Sequence, residues 1–394
     1  MNRYQEIYRR AESLSDYTIA IRRDFHQHPE LGLQEFRTSE IVANTLDELG
    51  YQVKRGVGKT GVVGTLDSGK PGLVVLIRFD MDALPIQEEN NTAYSSQVPN
   101  VMHACGHDGH TAIGLTVAKM LAEIKGELSG KVKLMFQPGE EGMNGARLMI
   151  EDGVLRDPTP DYALACHVWN DKPLGWFSAD PGPLMSGAEF FTVKLTGKGG
   201  HGAAPHQTID PVIAVAQTVL GLQTIVSRNI PPEETAVVSV TQLIAGEAAN
   251  IIPQTAEFRG TIRTYDESIR EQVISRFRTI IEHTAEAYRC KPEITINRLT
   301  LPVVNEAGVS DRVKRVIKAV VPQAELVPHR TMGSEDMSFV MKEIPGCFIF
   351  IGSANAEKGL NYGHHHPRFD FDEQALTYGA AILTASTLSL LKSE

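Results

Sequence analysis

Leu73-Val74-Val75-Leu76-Ile77-Arg78-Phe79 runs directly into Asp80-Met81-Asp82. A run this apolar and this short has the length of a strand covered on both faces. Two more come later in the chain, Val132–Phe136 (VKLMF) and Tyr162–Ala165 (YALA). Between the first two lies Thr111–Lys125, where Ile113, Val117, Met120, Leu121 and Ile124 share one helical face. Apolar strands separated by helices predict an α/β architecture with a parallel or mixed sheet covered on both faces. Helical periods upstream cover Ala11–Phe25 and Thr38–Leu49. Downstream they cover Asp311–Val320 and Phe371–Leu391, with a further buried strand at Cys347–Ile351.

The middle of the chain reads differently. Strands are predicted at Glu189–Thr196, Thr235–Ile244, Thr255–Thr264 and Glu293–Arg298, with helices at Asp210–Val226 and Glu267–Tyr288. The order β-α-β-β-α-β is that of a ferredoxin-like α+β unit. Pro181-Gly182-Pro183 fits a linker into it. The expected organisation is an α/β domain, 1–184 with 301–394, interrupted by an inserted α+β domain at 185–300.

In an open α/β sheet, ligands bind beyond the carboxyl ends of strands. There the first strand carries Asp80 and Asp82, the second Gln137-Pro138-Gly139-Glu140-Glu141, and the third Cys166-His167. His103-Ala104-Cys105-Gly106-His107-Asp108-Gly109-His110 precedes a helix, and Gly363-His364-His365-His366-Pro367 lies near the C-terminus. Imidazole, carboxylate and thiolate are the ligands of Zn and Mn sites. Cys105 and His107 would point the same way if that stretch is extended. The following helix N-terminus would favour the thiolate. Of the adjacent Glu140 and Glu141, one can bind metal while the other acts as general base. Each group alone has an ordinary structural explanation: a buried thiol, a solvated acidic pair, a turn cap. Together, at successive strand ends, they point to a metal pair.

Gly56-Val57-Gly58-Lys59-Thr60-Gly61 imitates a phosphate-binding loop. The next residues, Val62-Val63-Gly64-Thr65-Leu66, are strand-like, and such a loop needs a helix N-terminus. The stretch reads as a tight turn. The net charge of −10 over 394 residues argues against nucleic-acid and anionic-membrane partners. The opening MNRYQEIYRRAESL lacks the apolar core of a signal peptide, and four scattered cysteines fit a reducing cytoplasm.

Arg78–Pro85, Met102–Ala112 (MHACGHDGHTA), Gln137–Gly142 (QPGEEG), His167 and His365–Asp370 resemble the peptidase M20 superfamily. They are most similar to its amidohydrolase branch, subfamily D, over nearly the whole chain. Phe79 and Gly139 depart from the branch, which usually has Ala at the first position and often at the second. The resemblance implies a zinc-peptidase-like catalytic domain and an insert serving as lid and dimerisation domain. It implies two divalent metal ions per subunit, Mn²⁺ or Zn²⁺ with Co²⁺ or Ni²⁺ as alternatives. Their ligands would be Cys105, His107, Glu141, His167 and His365, with His366 the alternative to the last. Glu140 would be the general base and Asp82 a carboxylate that orients a ligand. His201 in GGHGAAPH (199–206) would face the scissile carbonyl, often across a dimer. Asn250 and Arg263 would bind the substrate carboxylate. The activity implied is hydrolysis of N-acyl amino acids by a homodimer or homotetramer. A metallo-dipeptidase or carboxypeptidase on the same site, or an inactive scaffold, is the alternative.

Overall fold

A computed structural model describes residues 3–392. Two helices, α1 (Arg3–Ser13) and α2 (Ser15–Gln27), open the chain, and α3 (Phe36–Glu48) comes next. The single helix predicted at Ala11–Phe25 is thus two. Ser13 turns its hydroxyl onto the carbonyl of Arg10, a local bond that competes with helix propagation, and Leu14 leaves helical geometry. Strands β1 (Gln52–Val57) and β2 (Gly61–Asp67) form an antiparallel hairpin whose turn is the phosphate-loop look-alike. No helix succeeds that turn, as the β-branched sequence requires.

Next come β3 (Val74–Asp80), helix α4 (His107–Glu123), β4 (Lys131–Gln137) and β5 (Tyr162–Pro173). The eight-stranded sheet runs β1-β2-β4-β3-β5 and continues through Gly346–Ala354, Trp176–Ser178 and Glu325–Leu326. Strands β4, β3, β5 and Gly346–Ala354 are parallel neighbours, while the β1-β2-β4 pairings are antiparallel, so the sheet is mixed. Alternation divides its faces. Val75, Ile77, Phe79, Val132, Leu134, Phe136, Leu164, Cys166 and Val168 enter the main core, with Ile113, Val117 and Leu121 of α4. Arg78, Asp80, Gln137 and His167 therefore take the opposite parity; Asp80 and Gln137 end their strands, while His167 lies midway along β5, which runs on to Pro173 instead of ending at Ala165.

This unit comprises residues 1–184, 303–330 and 336–394. A second compact unit comprises Met185–Pro302 and Thr331–Glu335. Its antiparallel sheet runs Ala236–Ala245, Thr255–Thr264, Gly187–Thr196, Lys291–Thr300, with helices Pro211–Leu222 and Glu267–Ala287 in β-α-β-β-α-β order. The helix predicted at Asp210–Val226 breaks at Gln223 and resumes as Thr224–Asn229. Residues 331–335 join this unit through a bridge between Met185 and Thr331 and a 2.9 Å bond from Ser186 N–H to the Gly333 carbonyl. Sequence patterning does not register so short a return. No described helix is long and apolar enough to cross a membrane.

Candidate metal centre

The helix predicted from Thr111 begins at His107, so the histidines of His107-Asp108-Gly109-His110 occupy its first turn. The apolar period starts later because that turn is spent on polar groups. Cys105 and His107 are not brought together by extended backbone. Gly106 between them takes φ 90°, and a Cβ there would meet Val168 Cγ2 at 2.5 Å. Only glycine serves this corner.

Two groups of possible ligands share one thiol. The ligand atoms of Cys105, His107 and His167 lie within 4.8 Å of one another, and so do those of Cys105, Glu141 and His365. His107, Glu140 and Glu141 form a third such group, and Asp80, His107 and His110 a fourth. Cys105 Sγ is 3.5 Å from His167 Nε2, and His365 Nε2 is 3.0 Å from the Glu141 carboxylate. In both buried imidazoles Nδ1 is already committed: His107 to the Asp82 carbonyl at 2.9 Å, His167 to the Val168 carbonyl at 2.6 Å. That arrangement fixes the tautomer and presents Nε2 to a metal. The Nε2 of His107 is buried and has no hydrogen-bond partner of normal geometry among the described residues. A dication between these groups would satisfy it, so the donor set fits a metal pair.

The three consecutive histidines diverge. His364 Nε2 donates to the Val168 carbonyl at 2.9 Å, and His366 stacks on Tyr362 at 4.6 Å between centroids. His365 turns toward Glu141 because its backbone adopts φ 65°, held by its N–H on the Ala104 carbonyl at 2.8 Å. A non-glycine residue in this region marks a constrained site.

Electrostatics corrects one expectation. Burial pushes the Cys105 thiol well above its ordinary value, and Glu141 adds to the effect. The helix N-terminus does not by itself yield a thiolate. Burial alone would lower His107, but Asp80 and Cys105 raise it well above its usual range. His167 is held well below its usual range by burial and by His110 and His364. The Asp82 carboxyl is raised by burial but lowered further by its bond to His107, so it stays ionised.

Other residues support the site, and two of them, Glu35 and Arg22, carry no signal in the sequence pattern. Glu35, fully buried, accepts from Gly139 N–H at 2.9 Å and from the Thr60 hydroxyl, and so fixes the loop that carries Glu140 and Glu141. Asp82 Oδ2 accepts from Glu141 N–H at 2.9 Å. Arg78 grips Asp80 at 2.7 Å and Gln137 at 2.8 Å, and Gln137 donates to Asp336 at 2.7 Å. Asp80 also holds His110 Nδ1 at 2.6 Å. Beneath α4, the buried Arg22 bridges Asp108 and Asp370 at 2.8 Å each, joining the helix that starts at His107 to the segment that bears His365.

His26 completes that network at 2.7 Å from Asp108. Burial alone would lower its pKa, but Asp108 outweighs burial and raises it from 6.5 to about 8. The folded chain thus holds a proton that the unfolded chain releases near pH 6.5. This stabilisation is fully present below that pH and is lost as pH rises through about 8, on the order of 2 kcal/mol. His26→Gln should flatten the fall of the thermal midpoint across this window. An unchanged fall in the variant would put the titrating group elsewhere.

Three residues expected to be functional lie in the second unit. His201 is exposed, its short strand pairs with Ile251–Ile252, and Gly202 N–H donates to the Asn250 carbonyl at 2.8 Å, so His201 and Asn250 lie side by side on two paired segments. Arg263 is half-buried, pairs in register with Ala188 and Val237, and has no ion-pair partner among the described residues.

The sequence pattern of peptidase family M20/M25/M40 matches residues 76–388. The chain is 39% identical over 373 residues to thermostable carboxypeptidase 2 of Saccharolobus solfataricus, covering 94% of each. It is 36% identical to N-acetyl-L-cysteine deacetylase of Bacillus subtilis, covering 97% of this chain and 90% of that one. Among solved structures, the Bacillus subtilis YXEP protein, described as a dinuclear metal-binding peptidase, superposes with TM-score 0.84 at 33% identity over 96% of this chain and 99% of that one. The chain therefore belongs to peptidase family M20/M25/M40, a family of metal-dependent amidohydrolases and peptidases.

Proposed function

We propose that the chain hydrolyses the amide bond of N-acyl amino acids to a carboxylic acid and a free amino acid. The observation that carries this reading is the pair of ligand groups sharing Cys105, with Glu140 beside them. Two divalent ions bound by Cys105, His107, His167, Glu141 and His365 would supply Lewis acidity and lower the pKa of a water. Glu140 would take the proton from the attacking water and return it to the leaving nitrogen. Asp82 would hold the His107 ring and the Glu141 backbone in place, a task supported by its contacts to both.

The oxyanion donor and the carboxylate clamp would come from the second unit, acting as lid and pairing with a second copy. His201 would donate to the developing oxyanion, and Asn250 and Arg263 would hold the substrate carboxylate, to which guanidinium binds bidentately. All four free cysteines are buried, which fits a reducing cytoplasm. His201→Ala should lower kcat with metal content unchanged, because the lost contact forms in the transition state. Arg263→Ala should raise KM about 10- to 100-fold for substrates with a free α-carboxylate, the scale of one charge-assisted bond, and leave their amides nearly untouched. Equal effects on acid and amide would show that Arg263 does not read the carboxylate.

A second reading is a metallo-carboxypeptidase or dipeptidase on the same site, favoured by the likeness to a thermostable carboxypeptidase. A panel of N-acetyl, N-benzoyl and dipeptide substrates on metal-loaded protein decides between them. Turnover confined to the peptides would overturn the first reading.

A further inference from the structure

Glu140 and Glu141 lie on the short stretch between Gln137, which ends β4, and Gly145, which begins the helix Gly145–Glu151. The stretch closes on itself. Gly145 N–H donates to the Gly139 carbonyl at 3.1 Å, and a Cβ on Gly145 would meet the Pro138 carbonyl oxygen at 1.6 Å. The Gly139 carbonyl belongs to the planar peptide unit that enters Glu140, so fixing that oxygen fixes the backbone orientation of Glu140.

That closure is held from outside the loop. A helix leaves its first N–H groups without partners of its own. Asn144, at the cap position, makes no side-chain bond to them. Asp336, buried and 190 residues away in sequence, supplies the missing acceptor: its Oδ2 accepts from Ala146 N–H at 2.9 Å. Its Oδ1 accepts from Gln137 Nε2 at 2.7 Å and from Arg78 at 3.3 Å. One carboxylate thus joins the residue before the loop to the helix turn after it. Other tethers act elsewhere on the loop: Glu35 holds the Gly139 N–H, and Asp82 holds the Glu141 N–H at 2.9 Å. The part that rests on the Asp336 clamp is therefore the carbonyl side of Gly139, next to Glu140, more than the ligand Glu141.

We propose that Asp336 is a positioning residue for the general base: by joining Gln137 to Ala146 it closes the loop and sets the backbone that carries Glu140. The kinetic part of the inference rests on the amide-hydrolysis reading, and hydrogen exchange tests the clamp without it. Asparagine has the shape of aspartate but one acceptor oxygen and a donor amide, so it cannot accept from Gln137 and Ala146 on separate oxygens. In metal-loaded full-length protein, Asp336→Asn should lower kcat about 10- to 100-fold, the scale of a misplaced catalytic group. KM should change less than about threefold and metal content should stay as in the wild type. The Gly145 and Ala146 amides should exchange with solvent about tenfold faster or more, the scale of one lost bond to a charged group. Ala146→Pro deletes the same bond from its other partner, in a first helical turn that tolerates proline, and leaves Gln137 and Arg78 in place. It should show the same split between kcat and KM. A fall of metal content in step with kcat, or full kcat in Asp336→Asn beside faster exchange, would overturn the positioning role. Unchanged exchange of both amides would overturn the clamp itself. If the wild type cuts no N-acyl amino acid or peptide while Asp336→Asn still accelerates exchange, the clamp stands and the hydrolysis reading fails.

Discussion

Glu140→Gln is expected to keep its metal and to lose turnover by about 10²- to 10⁴-fold, the range a general acid–base contributes. The adjacent change, Glu141→Gln, is expected to lose metal as well as turnover. The two side chains leave one loop at the end of β4, yet their surroundings differ. Glu141 has its N–H on Asp82 and its carboxylate 3.0 Å from His365 Nε2, and it belongs to the ligand group that includes Cys105. Glu140 lies in reach of His107 and Glu141 but in no group with the thiol. Glutamine matches the shape of glutamate and cannot take a proton, so the first change removes the base alone. Elemental analysis beside steady-state kinetics reads both outcomes. Metal lost from Glu140→Gln and kept by Glu141→Gln would exchange the roles.

The strands and their ends were legible because a fully covered sheet writes itself as apolar runs, and the run that ends at Phe79 has no other use. The site was legible at the level of residue types, since acid, thiol and imidazole come directly after those runs. The buried charges that hold the site in place were not legible. Arg78 contacts Asp336 at 3.3 Å across 258 residues of sequence, and Arg22 reaches Asp370 across 348. A charged residue inside an apolar strand gives no sign of a partner so far away, and without the partner it reads as an edge or an error. Glu35 was hidden for the same reason, because its use is to bind the Gly139 N–H of a distant loop.

Conformation, as opposed to composition, was the other gap. Which of His364, His365 and His366 faces Glu141 depends on one left-handed backbone angle, and three identical side chains in a row offer no pattern from which to infer it. The thiol of Cys105 shows the same limit in energetic form. Proximity to a helix start argues for thiolate, but burial depth decides the balance and is a property of the fold.

Exhaustive chelation is expected to abolish hydrolysis, and the shared thiol makes the mutational pattern specific. Metal ions supply several kcal/mol of transition-state stabilisation, which at 1.36 kcal/mol per decade corresponds to about 10³-fold or more. Cys105 is common to both groups of ligands, whereas His167 belongs to one and His365 to the other. Cys105→Ala should therefore weaken both metal sites together. His365→Ala should leave about one ion per chain, held through His107 and His167, with Cys105 intact. The complementary change, His167→Ala, should spare the ion on the Glu141 side. Metal content after dialysis against a limiting chelator, then activity on re-addition of Zn²⁺ or Mn²⁺, measures each case. Full activity in chelated protein shown metal-free by elemental analysis would refute the metal-dependent mechanism. If Cys105→Ala lost a single ion while His365→Ala lost both, histidine and not the thiol would be the group that the two sites share.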